Sequence, residues 1–154
     1  MKNLLSYGVA TSVIAGLAGV AVIAATSTSE ARSLTAFMGQ PQAPADYACF
    51  TNNGGSVTNA CATTKQYCVT LPVDGSNHIV EVTVLAPDIN HNIACFAQAN
   101  ARDNTNAGFT GLKSPGIFGS AQVLSFPTLT VPTAGSLYVC CNIAQTARLH
   151  SVNY

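Results

Sequence analysis

Six cysteines carry the densest reactive chemistry in this 154-residue chain: Cys49, Cys61, Cys68, Cys95, Cys140 and Cys141. An even count with no Cys-x-x-Cys spacing points to a disulfide framework, not to zinc ligands or a spare nucleophilic thiol. His78, His91 and His150 are scattered and form no His-x-x-x-His pair that would add to a metal site. Asp88, Asn90 and Asn92 alternate as the first ligands of a calcium loop do. Ile93 stands where that loop needs glycine, and Ala99 where it needs a carboxylate. An Asn-rich turn accounts for the pattern.

Acid–base chemistry would have to draw on Asp46, Asp74, Glu81, Asp88 and Asp103. Four of these stand in linker or turn segments, where Asp is ordinary turn chemistry, and Glu81 takes an outward strand position. No Gly-x-Ser-x-Gly elbow marks a nucleophile. The strongest catalytic grouping is Asp88, His91 and Asp103, expected near one loop end, and it supports only an unrecognised hydrolase. A sugar-binding surface would need exposed aromatic rings, and the chain has no Trp. Tyr47, Tyr67, Tyr138 and Tyr154 remain, with Tyr138 or Tyr67 the expected lining of a concave binding face.

The elements that must position these residues read as strands. In Gly135 to Tyr154, alternation puts Leu137, Val139, Cys141 and Ile143 on one face and Ser136, Tyr138, Cys140 and Asn142 on the other. The adjacent cysteines therefore serve different partners. The expectation is Cys141 crossing the core to Cys68 or Cys95, and Cys140 joined to the Cys49–Cys61 region. Similar alternation marks Gln66 to Leu71, His78 to Val84 and Asn92 to Gln98, with Tyr67, Val69 and Leu71, then Val80, Val82 and Val84, then Ile93, Cys95 and Ala97 inward. Residues 99–116 read as a long polar loop with a short strand at Phe109 to Leu112. Strand starts recur about every dozen residues between Gly, Pro and Asn, the rhythm of an antiparallel sandwich.

Lys2, the apolar run from Gly8 to Ala25 and Ser29-Glu30-Ala31 have the order of a secretory signal peptide over residues 1–31. Residues 32–46, with two prolines and no period, read as a linker, and 47–154 as one β-sandwich domain. Charged residues make up 8% of the chain, and the formal net charge is zero. That balance excludes nucleic acid as a partner, and membrane contact requires the signal segment to stay uncleaved.

The order Gly55-Ser56-Val57-Thr58-Asn59, Tyr67-Cys68-Val69-Thr70-Leu71-Pro72, Val82 to Asp88 into Ile93-Ala94-Cys95, and Gly135 to Ile143 resembles a class of small exported bacterial proteins. These proteins, of myxobacterial type, contain cysteines and have no known function. This chain departs from them at Val69, Ala144 and Cys61. The resemblance implies a secreted β-domain and no catalytic residues. The sequence thus leads to an all-β, disulfide-stapled, non-enzymatic protein without cofactor, secreted, periplasmic or on the cell surface. Its expected role is structural or adhesive toward an envelope or extracellular partner, with small-ligand or glycan binding and a hydrolase as the alternatives.

Overall fold

The computed structural model describes residues 32–154; the expected signal peptide lies outside the described residues. Thirteen strands follow one another: β1 (Ser33–Thr35), β2 (Gln40–Pro41), β3 (Phe50–Asn53), β4 (Ser56–Asn59), β5 (Lys65–Leu71), β6 (Asn77–His78), β7 (Glu81–Leu85), β8 (Ile93–Asn100), β9 (Asn106–Phe109), β10 (Ala121–Ser125), β11 (Leu129–Thr130), β12 (Ser136–Ile143) and β13 (Arg148–Asn153). All described pairings are antiparallel. One sheet runs β2-β5-β12-β8-β9, and the other runs β10-β7-β13-β4-β3 with β1 also on β13. A small β6-β11 ladder accompanies them. The two sheets make the β-sandwich that the strand rhythm predicts.

The core is the inner face of both sheets. Val69, Val82, Val84, Ile93, Leu137, Val139 and Ile143 are wholly buried. Apart from Cys140, which is buried by its own bridge, their neighbours one residue away in each strand are half-buried or exposed, which is the period-2 pattern of a half-buried strand. One strand breaks this period. In β13 the register shifts between Leu149 and Ser151, so His150 is the extra residue of a bulge. Leu149 and Val152, three apart, can then both face inward.

The expected linker belongs to the domain. Leu34 pairs with Val152 in β13, Ala36 is fully buried, and Gln40 pairs with Cys68 in β5. Arg32 and Tyr154 exchange backbone hydrogen bonds of 2.9 Å in both directions. Strands of two or three residues are too short to show a period, so this stretch read as featureless. Gly39 fits there because a Cβ would run into the Cys68 carbonyl and come within 2.7 Å of the Tyr67 ring. Its carbonyl in turn accepts the Tyr67 hydroxyl at 2.8 Å. At the β3–β4 hairpin, Gly54 and Gly55 both have positive φ, 58° and 87°. The glycine pair makes the two-residue turn, because Asn53 already pairs with Ser56.

The β4 end is held by one buried polar side chain. Asn59 Nδ2 donates to the carbonyls of Ile143 (2.8 Å) and Thr63 (2.9 Å), and Oδ1 accepts from the Cys61 amide at 2.9 Å. Its own amide and carbonyl pair with Ala147 and Thr146. Full burial of an amide is tolerable because every polar atom is satisfied.

Candidate functional site

All six described cysteines are bridged: Cys49–Cys61, Cys68–Cys140 and Cys95–Cys141. The doublet does split between two partners, and Cys95 is one of the two expected for Cys141. Cys140, expected to reach the Cys49–Cys61 region, joins Cys68 instead, and Cys49 and Cys61 bridge each other. Neither β12 bridge crosses the sandwich. Both lie within one sheet, between residues directly opposite in register. The Cα–Cα distances of 4.1 and 4.0 Å mark the close, non-hydrogen-bonded class of antiparallel pair.

Strand geometry explains why adjacent cysteines suit this arrangement. In a central strand, successive residues turn their side chains to opposite faces and their backbone groups to opposite neighbours. Cys140 is thus open to bridging toward β5 on the outer face. Cys141 is open to bridging toward β8 on the inner face. Two staples on consecutive residues fix three strands, one staple on each side of the sheet.

The outer face of this sheet is where chemistry collects. Register sets Thr70, Tyr138, Gln98 and Phe109 in one row across β5, β12, β8 and β9. The adjacent row is Gln40, Cys68, Cys140 and Phe96. Gln66, Asn142 and Ala94 form the row beyond it. The rings of Phe96 and Phe109 meet at 5.2 Å between centroids, a favourable tilted pair. Phe109 is half exposed, at 52%.

Amides tie the face together. Gln66 Nε2 donates to Asn142 Oδ1 at 3.2 Å, and Gln98 Nε2 donates to Asn100 Oδ1 at 2.8 Å. The Asn100 amide then reaches the Tyr138 hydroxyl at 3.4 Å. At the β2 edge, Tyr47, more than half exposed, donates its hydroxyl to Gln40 Oε1 at 3.4 Å. None of the outward residues in these rows carries a charge. The result is a neutral platform of aromatic rings, amides and hydroxyls. Such a surface stacks on apolar ring faces and exchanges hydrogen bonds in several directions, but has no acid or base for catalysis.

Tyr138 lies at the centre of this platform, on the face opposite to the core as its alternation requires. Tyr67 does not: it is buried on the inner face, and burial pushes its hydroxyl up to about 12. Phe96 and Phe109 escaped the sequence reading. Phe109 opens the short strand expected at Phe109 to Leu112, whereas β9 (Asn106–Phe109) ends on it and the chain stays paired beyond it through Thr110 to Ala97 and Lys113 to Cys95. The signal for Phe96 was present: a Phe between inward Cys95 and Ala97 must point outward.

The catalytic grouping is not assembled. Asp88 and His91 do meet, with Nδ1 2.9 Å from Oδ2 in an exposed turn, and Asp88 Oδ1 also caps the amides of Asn90 and His91. These hydrogen bonds, the His91 side chain first, hold the Asp88 carboxyl below its usual range. Asp103 lies beyond the other end of β8, whose eight residues span about 27 Å. Its carboxylate accepts the Thr105 hydroxyl (2.7 Å) and amide (3.0 Å), which lowers its pKa. Asp88, Asn90 and Asn92 build a turn. Among the described residues, no three His, Cys, Asp or Glu side chains gather to hold a metal.

No family model and no curated protein matches this chain. Solved structures do. The chain is similar to a Podospora anserina GH26-CBM35 β-(1,4)-mannanase, with TM-score 0.54 and 8% identity over 80% of this chain and 27% of that one. It therefore spans about a quarter of the mannanase's length. It is also similar to the C-terminal CBM6 of a marine laminarinase from Zobellia galactanivorans, with TM-score 0.49 and 12% identity over 80% and 97% of the two chains. A carbohydrate-binding module from the Cellvibrio mixtus lichenase 5A, in complex with cellotriose, gives TM-score 0.41 and 11% identity over 79% and 94%. At 8% identity, the mannanase likeness speaks for the sandwich fold and for nothing beyond it.

Proposed function

We propose that this chain is a non-catalytic, extracellular glycan-binding module whose binding surface is the outer face of the β2-β5-β12-β8-β9 sheet. The observation that carries this reading is the composition of that face. Tyr138, Phe96 and Phe109 offer rings; Gln66, Gln98, Asn100 and Asn142 offer amides; and no outward side chain is charged. Sugars present an apolar ring face and a rim of hydroxyls, which this combination matches. A purely structural strand face would not need a hydrogen-bonded amide network leading to a central Tyr hydroxyl. Three disulfides suit an oxidising compartment, and no helix among the described residues is long and apolar enough to cross a membrane.

Native electrophoresis through gels cast with a range of polysaccharides tests the reading. At least one polymer should retard the protein, and Tyr138→Ala should markedly reduce the retardation while leaving the three bridges intact. If no polymer retards the wild-type chain, or if Tyr138→Ala is retarded equally, the reading fails.

A further inference from the structure

Building on that glycan-binding reading, we infer that the ligand is a neutral, extended β-1,4-linked glycan lying across the strands. Thr70, Tyr138, Gln98 and Phe109 are directly opposite one another on four consecutive strands. Tyr138 and Phe109 stand two strand spacings apart, about 9.6 Å. That distance is close to the two-sugar repeat of an extended β-1,4-linked chain, in which every second ring turns the same face the same way. Two aromatic rings so placed stack on alternate sugars, with the Gln98 amide beneath the sugar between them. A chain laid along the strands would meet one ring at most on each. Phe96 is the sole outward aromatic of β8, and Tyr138 the sole one of β12.

Two features narrow the class. α-1,4- and β-1,3-linked glucans coil, so they do not keep alternate sugars aligned over a straight row of side chains. The face also lacks a cation, so a uronate polymer would lose hydration without gaining an ionic partner. The Cys68–Cys140 bridge in the neighbouring row joins β5 to β12. The row is therefore set before ligand arrives, which lowers the ordering cost of binding.

Affinity electrophoresis and calorimetry on the full chain separate the outcomes. The probes are soluble glucomannan and arabinoxylan (neutral, β-1,4), polymannuronate (β-1,4, anionic), pullulan (α-linked) and laminarin (β-1,3). Binding should be confined to the neutral β-1,4 polymers and rise steeply from cellobiose to cellotriose, where both rings first engage. Tyr138→Ala and Phe109→Ala should each weaken it about tenfold, and Tyr138→Phe should retain it. The conservative variant guards against a folding defect. Tyr138-dependent binding of pullulan, laminarin or polymannuronate as strong as that of glucomannan would overturn the linkage assignment and leave glycan binding standing. Binding of glucomannan insensitive to Phe109→Ala would overturn the cross-strand row. No Tyr138-dependent binding to any polymer would overturn both readings.

Discussion

Removing either β12 bridge should destabilise the domain by an amount that its own loop length does not give. Cys68–Cys140 and Cys95–Cys141 close 72 and 46 residues. Taken alone, chain-entropy arguments would assign about 4.4 and 4.0 kcal/mol to these loops. The adjacency of Cys140 and Cys141 couples them. With one bridge intact, the other closes only the path from Cys68 to Cys95 and the single step between Cys141 and Cys140, roughly 28 residues. Each single removal then costs the same loop entropy, about 3.6 kcal/mol. What separates them is packing. Cys95 and Cys141 are wholly buried, whereas Cys68 is half-buried. Replacing the inner pair with alanine also opens a core void, at a further cost of about 1 kcal/mol. Cys95→Ala/Cys141→Ala should therefore be the less stable double variant although it loses the shorter loop. Urea unfolding of the wild type and both variants, analysed by linear extrapolation, measures this. If Cys68→Ala/Cys140→Ala proves clearly less stable than the inner pair, the shared-loop reasoning is wrong.

Asn59→Ala should cost about 3 kcal/mol, since two carbonyls and one amide lose their partner in a buried site; thermal melts of the variant report it. Gly39→Ala should destabilise by about 1–3 kcal/mol through the clash with the Cys68 carbonyl and the Tyr67 ring; near-UV circular dichroism should register the Tyr67 shift. His150 titrates below its ordinary value because of burial and, second, the Arg148 charge. The unfolded chain therefore binds the proton more readily than the native one. This contribution to stability is present above about pH 6.5, the unfolded value, and is lost progressively as pH falls from there through the lower native value. Melting temperature should accordingly drop less between pH 7 and pH 5 in His150→Gln than in wild type, and an equal drop would remove His150 as the cause.

The core was legible wherever a strand ran long enough to show a period. Alternation placed Val80, Val82 and Val84, and likewise Leu137, Val139, Cys141 and Ile143, on the inner face, and all are buried. It failed for β1 and β2, where three and two residues hold no period and pairing depends on β13 and β5, far along the chain. Alternation also put Cys140 and Cys141 on opposite faces. Their partners depended on which strands flank β12, and sequence order does not reveal sheet order. The binding face had the same limit. Tyr138 was visible as outward, but its row becomes a platform only when β9 brings Phe109 beside β8. Tyr67 carries the same ring and was an equal candidate, yet its strand phase puts it in the core.

The covalent shortcut through the doublet has a mechanical consequence. When the two ends of the domain are pulled apart, tension passes from Cys68 through sulfur to Cys140, bypassing every residue between them, and the Cys49–Cys61 bridge bypasses another stretch. Of the described residues, only roughly 40 can be drawn out, an extension of about 140 Å at most. Tyr138, Gln98, Phe96 and Phe109 all lie inside the bypassed segment. A domain tethered at its ends and gripping a fixed polymer could thus fray at its margins under load while its grip stays folded.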